Sequence, residues 1–95
     1  MTDSPTLPTL LFYARDGCEL CDEARADLQA VLEERVKRGE PIARVRVVDV
    51  DTDEELRRRY GDLLPVISVN GRDVTLAMGQ RTISRFLDAT LGRSA

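Results

Sequence analysis

The sequence contains no histidine, no tryptophan and only two cysteines among its 95 residues. A zinc site built within one chain from cysteine and histidine needs four such ligands, so this composition excludes it. Aromatic residues make up 4% of the chain, which argues against a surface on which nucleic-acid bases stack. The net charge is −3, and the longest basic run, residues 57–59, is too short for the basic face typical of nucleic-acid binding.

Long apolar runs are also missing from the sequence. The longest early run, residues 10–14, falls far short of a membrane span, and the first residues lack the basic region of a secretory signal. These features predict a cytoplasmic protein that binds neither membrane nor nucleic acid. In that reducing compartment a permanent structural disulfide is disfavoured. The chain is expected to form one domain over residues 1–95, with residues 1–8 as an irregular lead-in.

Strand and helix patterns alternate along the chain. Strands are expected at residues 9–14, 43–50, 65–69 and 72–76, and helices at 18–38, at 51–60 and between Gly79 and Gly92. The first strand is apolar throughout, as interior strands are, whereas Arg44 and Arg46 alternate with valines in the second, as in an edge strand. The order β-α-β-α-β-β-α predicts an α/β fold with a four-stranded mixed sheet. A crossover helix makes the first two strands parallel, and the Asn70-Gly71 turn makes the last two antiparallel.

Local signals predict how the helices begin and which faces they bury. The apolar positions of the first helix recur at helical spacing and predict one buried stripe of Ala24, Leu28, Val31, Leu32 and Val36. Thr52 with Glu55 predicts a capping box for the second helix. Asp49 and Asp51 are expected to cap the same helix, and a proton relay or a metal pair is the alternative. The arginine run 57–59 is expected to be solvated, with a docking patch for an acidic partner as its alternative.

Cys18 and Cys21 are the chemically distinctive pair. Two residues separate them at the predicted start of the first helix, so they lie one helical turn apart, where free N–H groups and the helix dipole stabilise a thiolate. We interpret them as a redox-active pair, because a disulfide of this spacing closes too small a loop to stabilise a fold much. The alternatives are inert thiols or a static staple, and a zinc or iron–sulfur centre bridged by two subunits.

The element order, the CxxC after the first strand and the proline opening the third strand together resemble the thioredoxin superfamily, and within it the glutaredoxin-like branch. The resemblance covers roughly residues 9–92 and rests on segments 13–18 (Tyr-Ala-Arg-Asp-Gly-Cys) and 63–71 (Leu-Leu-Pro-Val-Ile-Ser-Val-Asn-Gly). It implies a thioredoxin-like, glutaredoxin-type fold and a thiol–disulfide oxidoreductase without a bound cofactor. Cys18 would be the nucleophile and Cys21 the resolving thiol.

The same resemblance implies roles for four more residues. The Leu64–Pro65 bond is expected to be cis and packed beside the cysteines, with the backbone of Leu64 pairing with an extended substrate. Arg15 matches the basic residue that the family commonly places three before the first cysteine, where it favours the Cys18 thiolate. Gly79 matches one glycine of the family's Gly-Gly pair, and with Arg15, Leu64 and Pro65 it is expected to bind the substrate.

Three segments depart from the family pattern. Glu19-Leu20 replaces the frequent Pro-Tyr, Leu63-Leu64 replaces Thr-Val, and residues 78–82 lack the acidic residue that holds glutathione. The expected partners are a disulfide-bearing protein substrate and an electron donor, which is either glutathione as co-substrate or a thioredoxin-type reductase. The protein is expected to be a monomer, with Leu20 and Met78 as candidates for an apolar rim around the thiols. A domain that binds a partner without turnover is the remaining alternative.

Overall fold

The computed structural model describes residues 7–93, and most of the expected lead-in lies outside that range. The described chain contains four strands, three α-helices and one short 3-10 helix. In chain order they are β1 (Thr9–Ala14), α1 (Glu19–Lys37), β2 (Arg44–Asp49), the 3-10 helix (Val50–Thr52), α2 (Glu54–Tyr60), β3 (Val66–Val69), β4 (Arg72–Val74) and α3 (Gln80–Leu91). The predicted order of strands and helices is confirmed. None of the helices in this part of the chain is long and apolar enough to cross a membrane.

The four strands form one mixed sheet in the order β2-β1-β3-β4. β1 lies parallel to β2 and antiparallel to β3, and β3 lies antiparallel to β4. This is the predicted α/β arrangement, with β1 in the interior and β2 at an edge. Arg44 and Arg46 are exposed, and Val45 and Val47 are exposed as well, because an edge strand is covered less completely than an interior one.

The two faces of the sheet carry different layers. Leu10 and Phe12 of β1 are fully buried on the face that α1 and α3 cover. Tyr13 points to the opposite face, because successive strand residues alternate, and its ring stacks on that of Tyr60 in α2, with 4.5 Å between centroids. The apolar layer between the sheet and the α1–α3 pair is the main core and holds the cysteine end of α1 in place.

The buried stripe of α1 differs from the predicted one at its last turn. Ala24, Leu28 and Val31 are buried as expected, but Val36 is 59% exposed and Arg35 is only 2% exposed. Steps of four, three and four residues from Ala24 lead to position 35, so helical geometry carries the stripe there. The prediction that Val36 is buried was wrong, because it relied on the apolar character of this side chain and not on helical spacing.

Arg35 is buried, and each nitrogen of its guanidinium has a hydrogen-bond partner. Its Nε donates to the carbonyl of Pro41 at 2.6 Å, its Nη1 to a carboxylate oxygen of Asp88 at 2.9 Å, and its Nη2 to the carbonyl of Gly92. Glu40 adds a carboxylate 3.8 Å away. The cluster joins the end of α1 to the end of α3, which compensates the loss of water around the charge.

Two further predictions of local structure were wrong. Asp53, not Thr52, caps α2, and its carboxylate accepts from the N–H groups of Glu55 at 2.9 Å and Leu56 at 3.2 Å. Thr52 instead ends the 3-10 helix, where its hydroxyl donates to the carbonyl of Asp49 at 2.7 Å. The strand expected at 72–76 ends at Val74, since Leu76 has a φ of +50°, which extended strands do not contain.

Candidate functional site

The two cysteines lie where β1 passes into α1. A turn at Asp16-Gly17 follows the strand, and Cys18 caps the helix. Gly17 has a φ of +77°, a conformation that glycine adopts without steric cost. Cys18 and Cys21 form a disulfide across the first helical turn, with their Cα atoms 5.2 Å apart. The expectation that this spacing lets the two thiols pair is confirmed.

The two sulfur-bearing residues differ in their access to solvent. Cys18 is partly exposed, whereas Cys21 is 2% exposed and belongs to the core. The backbone N–H of Cys21 donates to Cys18 Sγ at 3.1 Å, so this sulfur is the acceptor of the helix N-cap. Free N–H groups at a helix start stabilise negative charge. Cys18 is therefore the more accessible of the two sulfurs and the one that accepts a hydrogen bond from the start of α1.

The Leu64–Pro65 peptide bond is cis, as expected. Tyr13 of β1 lies opposite Val66 of β3, so the segment before β3 lies beside the strand end from which the cysteines follow. The carbonyl of Pro65 accepts from the N–H of Ala77 at 2.9 Å. Within the described chain the amide and carbonyl of Leu64 form no backbone hydrogen bond. They are free to pair with an extended segment.

Large apolar side chains are exposed at the same end of the sheet. Leu20, between the cysteines, is 49% exposed, Leu63 is 38% exposed and Leu76 is 53% exposed. The N–H of Leu76 donates to the carbonyl of Leu63 at 2.9 Å, which places these two side by side. Met78 is half-buried and packs on the core. Leu76 was not expected at this surface, because it was predicted to be the last residue of the fourth strand.

Arg15 is held by an acidic partner on the neighbouring connection. Its Nη2 and Nε donate to the two carboxylate oxygens of Asp51 at 3.0 and 3.2 Å, and its Nη1 donates to the carbonyl of Gly61 at 3.3 Å. Asp51 was expected to be a cap, and this was wrong because the bidentate ion pair uses both of its oxygens. Asp49 does cap the 3-10 helix, with its side chain accepting from Asp51 N–H at 2.9 Å.

The surface around the disulfide is acidic. Four exposed carboxylates lie on the turn before α1 and on its first two turns: Asp16, Glu19, Asp22 and Glu23. Nowhere in residues 7–93 do three or more carboxylate or thiolate side chains gather closely enough to hold a metal ion. A metal bound through these cysteines would need ligands from a second molecule, as the bridged alternative assumes.

Tyr60 is a buried phenol on the α2 face of the sheet. Its hydroxyl donates to Asp73 at 2.6 Å, and the guanidinium of Arg59 lies 5.2 Å from its ring centroid. Burial, followed by the hydrogen bond to Asp73, raises the pKa of Tyr60 to about 12, because the phenolate would lose solvation and meet a carboxylate. Tyr60 therefore stays neutral at physiological pH and serves as a packing residue beneath β1.

The chain matches a known protein family. Residues 9–93 match the glutaredoxin-like domain (DUF836) family, which covers both cysteines, the cis proline and α3. The chain belongs to this family. The glutaredoxin-like resemblance read from the sequence is thereby confirmed, and so is its thioredoxin-like fold.

Solved structures support the same fold for this glutaredoxin-like domain. The crystal structure of target protein XcR50 from X. campestris is 30% identical, covers 84% of this chain and 96% of its own, and superposes with a TM-score of 0.68. Protein Ne2328 from Nitrosomonas europaea is 24% identical and covers 90% and 98% of the two chains, with a TM-score of 0.63. No curated protein matches the chain.

Gly79 of the glutaredoxin-like domain lies at the start of α3. It is the N-cap residue, with a φ of +88°, and no side chain caps this helix. The first turn of α3 also contains no acidic residue. The expected role of Gly79 in binding substrate stays a prediction, as do the roles of Arg15, Leu64 and Pro65. The arginines of the run 57–59 are exposed as expected.

Proposed function

We propose that this glutaredoxin-like domain is a thiol–disulfide oxidoreductase that reduces disulfides in proteins. The observation that carries the proposal is the asymmetry of the CxxC pair, in which a partly exposed Cys18 caps α1 and a buried Cys21 lies one turn deeper. An exposed thiolate at a helix start is suited to attack, and a protected thiol beside it is suited to resolve the product.

The reaction follows from these two positions. The Cys18 thiolate attacks one sulfur of the substrate disulfide, and the other substrate sulfur leaves as a thiolate that takes up a proton. Cys21 then loses its proton and attacks Cys18 Sγ, which releases the second substrate thiol. Two electrons and two protons pass to the substrate, and the domain ends with the Cys18–Cys21 disulfide. An external donor restores the dithiol.

The surroundings of the cysteines support an extended polypeptide as substrate. The free amide and carbonyl of Leu64, beside the cis bond to Pro65, would pair with the backbone next to the substrate cysteine. Exposed Leu20, Leu63 and Leu76 would receive apolar side chains on either side of it. Together they form a surface on which a protein disulfide is held for attack by Cys18.

The donor is either glutathione or a thioredoxin-type reductase, and the protein acts as a cytoplasmic monomer. The first turn of α3 contains no acidic group to hold the amine of glutathione. Insulin reduction measured in parallel with glutathione plus its reductase, and with thioredoxin reductase, tests both routes. Turnover that is lost in Cys18→Ser supports the proposal and identifies the donor. A folded protein with free thiols that reduces insulin from neither source would contradict it.

A further inference from the structure

The open edge of the sheet has features that the redox reaction does not use. The N–H of Arg44 donates to the carbonyl of Pro8 at 2.9 Å, so Arg44 and each second residue after it direct their backbone polar groups toward β1. Val45 and Val47 therefore direct their N–H and C=O groups away from the sheet. An edge strand with such unpaired groups is a template for another strand.

A groove lies on one side of this edge. It has a volume of about 330 Å³ and runs between β2 and the outer side of α1, where Val45, Leu32 and Val36 give it an apolar lining. Val36 is 59% exposed and Val45 is 37% exposed. Their apolar surface remains in contact with water in the single chain, so side chains from an added strand would gain by covering it.

The other side of the edge is basic. Arg44 and Arg46 point to the face opposite the valines, because strand residues alternate, and both are exposed. Neither forms an ion pair with another residue of the 7–93 segment. The β1 residues paired with these arginines, Thr9 and Leu11, are uncharged. Two unneutralised guanidinium groups therefore flank the free strand edge.

We propose that β2 binds an extended peptide segment of a partner protein in which apolar and acidic residues alternate. The segment would add a fifth strand beside β2, with its apolar side chains in the groove against Val45 and its acidic side chains opposite Arg44 and Arg46. Main-chain hydrogen bonds give such complexes their affinity, and alternate side chains give specificity. This site goes beyond the proposed redox function and does not require thiol exchange.

Charge disfavours a second copy of this chain in the antiparallel register centred on Arg46. Two β2 strands that pair antiparallel about Arg46, near the middle of the strand, place the two Arg46 side chains directly opposite each other. Like charges in that position destabilise a strand pair. An acidic segment instead neutralises both arginines.

The position of the edge relates it to the redox end of the molecule. Val47 and Asp49 of β2 also line a second cavity, of about 150 Å³, together with Cys21 and Asp22. A segment held along β2 therefore ends close to the first turn of α1. Such a site would retain one class of partner beside the disulfide, independently of the apolar surface around Cys18.

Fluorescence anisotropy with a labelled peptide of alternating valine and glutamate, about eight residues long, tests the proposal. The control is the same peptide with lysine in place of glutamate. Wild-type protein is expected to bind the glutamate peptide roughly tenfold more tightly, and the double variant R44E/R46E is expected to reverse this preference. Equal binding of the two peptides, or no binding of either, would overturn the proposal.

A second pair of variants tests the main-chain pairing. Val45→Pro removes an outward N–H at a strand edge, where proline is tolerated, while Val45→Thr retains it. Only Val45→Pro is expected to lose binding of the glutamate peptide. Circular dichroism checks that both variants fold. Equal loss in both would overturn strand addition, as would sedimentation showing that wild-type protein already pairs with itself through β2. The insulin assay reports separately on the redox function, because Arg44 and Arg46 have no part in it.

Discussion

Helix α1 carries a reactive pair at its first turn and a buried arginine at its last. Cys18 is partly exposed, and within the described residues its sulfur contacts only the Cys21 N–H and the sulfur of Cys21. Arg35 is 2% exposed and has four partners, which belong to the chain just after α1 and to α3 with its C-cap. A buried polar group whose nitrogens are all bonded within the protein stabilises the structure, whereas a sulfur that solvent reaches is available to react.

The largest expected effect is at the reactive end. Cys18→Ser should reduce the rate of protein-disulfide reduction to below about one hundredth of the wild-type rate, because serine is not a comparable nucleophile at neutral pH. Cys21→Ser should also lose turnover but accumulate a mixed disulfide at Cys18, which intact mass spectrometry detects after addition of a peptide disulfide. An adduct on Cys18→Ser instead would reverse the assignment of the two thiols.

The same substitution should leave the fold intact. Serine is a good N-cap residue, and the small disulfide loop adds little to stability. Cys18→Ser and reduced wild-type protein should therefore have the same free energy of unfolding within about 0.5 kcal/mol in urea titrations. A large loss would mean that this end of α1 is structural as well, and the contrast between the two ends would fail.

The buried end should give the largest loss of stability. Arg35→Met keeps the apolar stem but leaves the carboxylate of Asp88 and the carbonyls of Pro41 and Gly92 without their donor. Asp88 and Glu40 still reach solvent in part, which moderates the cost to about 3 kcal/mol in the free energy of unfolding. The initial rate of insulin reduction by the folded fraction should not change. A change in rate at full folding would connect the two ends.

Much of the reactive end was predictable from the sequence, and little of the buried end was. Cys18 and Cys21 stand at a fixed distance from strand and helix signals that are local, so their place at the start of α1 could be predicted from the sequence. The cis bond before Pro65 was implied by the family resemblance and not by a local signal. The burial of Arg35 depends on carbonyls and a carboxylate supplied by the chain after α1 and by α3. No local pattern contains that information. The apolar side chain of the neighbouring Val36 wrongly indicated that position 36 is the buried one.

The two remaining errors have related causes. Thr52 and Asp53 are both good capping residues, and the choice between them depends on where the preceding 3-10 turn ends. Leu76 was predicted to end the strand that returns from the Asn70-Gly71 turn. Leucine rarely adopts a positive φ, so its exposure beside Leu63 had no sequence signal. The cap of α2 and the end of β4 both depend on how the backbone turns after a helix or strand. Side-chain type constrains that turn only weakly.

Tyr60 provides a buried polar group without charge for comparison with Arg35. Its pKa is raised to about 12 from an unfolded value near 10, so the unfolded chain loses the proton first as pH rises. The stability contributed by the neutral phenol is complete below about pH 10 and falls by up to about 2 kcal/mol as pH approaches 12. Urea titrations across this range should show the fall in wild-type protein and a smaller one in Tyr60→Phe.

A matched pair of glycines tests whether the backbone itself distinguishes the two ends of α1. Gly17 before the helix and Gly39 after it have φ values of +77° and +72°, and a Cβ at either position would meet no atom within 4 Å. Each substitution by alanine should therefore cost about 1 kcal/mol, from backbone conformation alone. Only Gly17→Ala should also slow insulin reduction, because it moves the turn that presents Cys18. Equal slowing by both would remove the distinction.

The smallest effect should come from Arg38, which lies one turn after Glu34 and three residues after Arg35. Its Nε is 3.3 Å from the Glu34 carboxylate, and both side chains are more than half exposed. Solvent screens such a pair, so Arg38→Ala should change the free energy of unfolding by no more than about 0.5 kcal/mol. The same urea titration compares it with Arg35→Met. Equal losses would mean that charge near the end of the helix matters more than burial. A difference of several-fold would show that the partners fixed around Arg35 stabilise this end of the molecule.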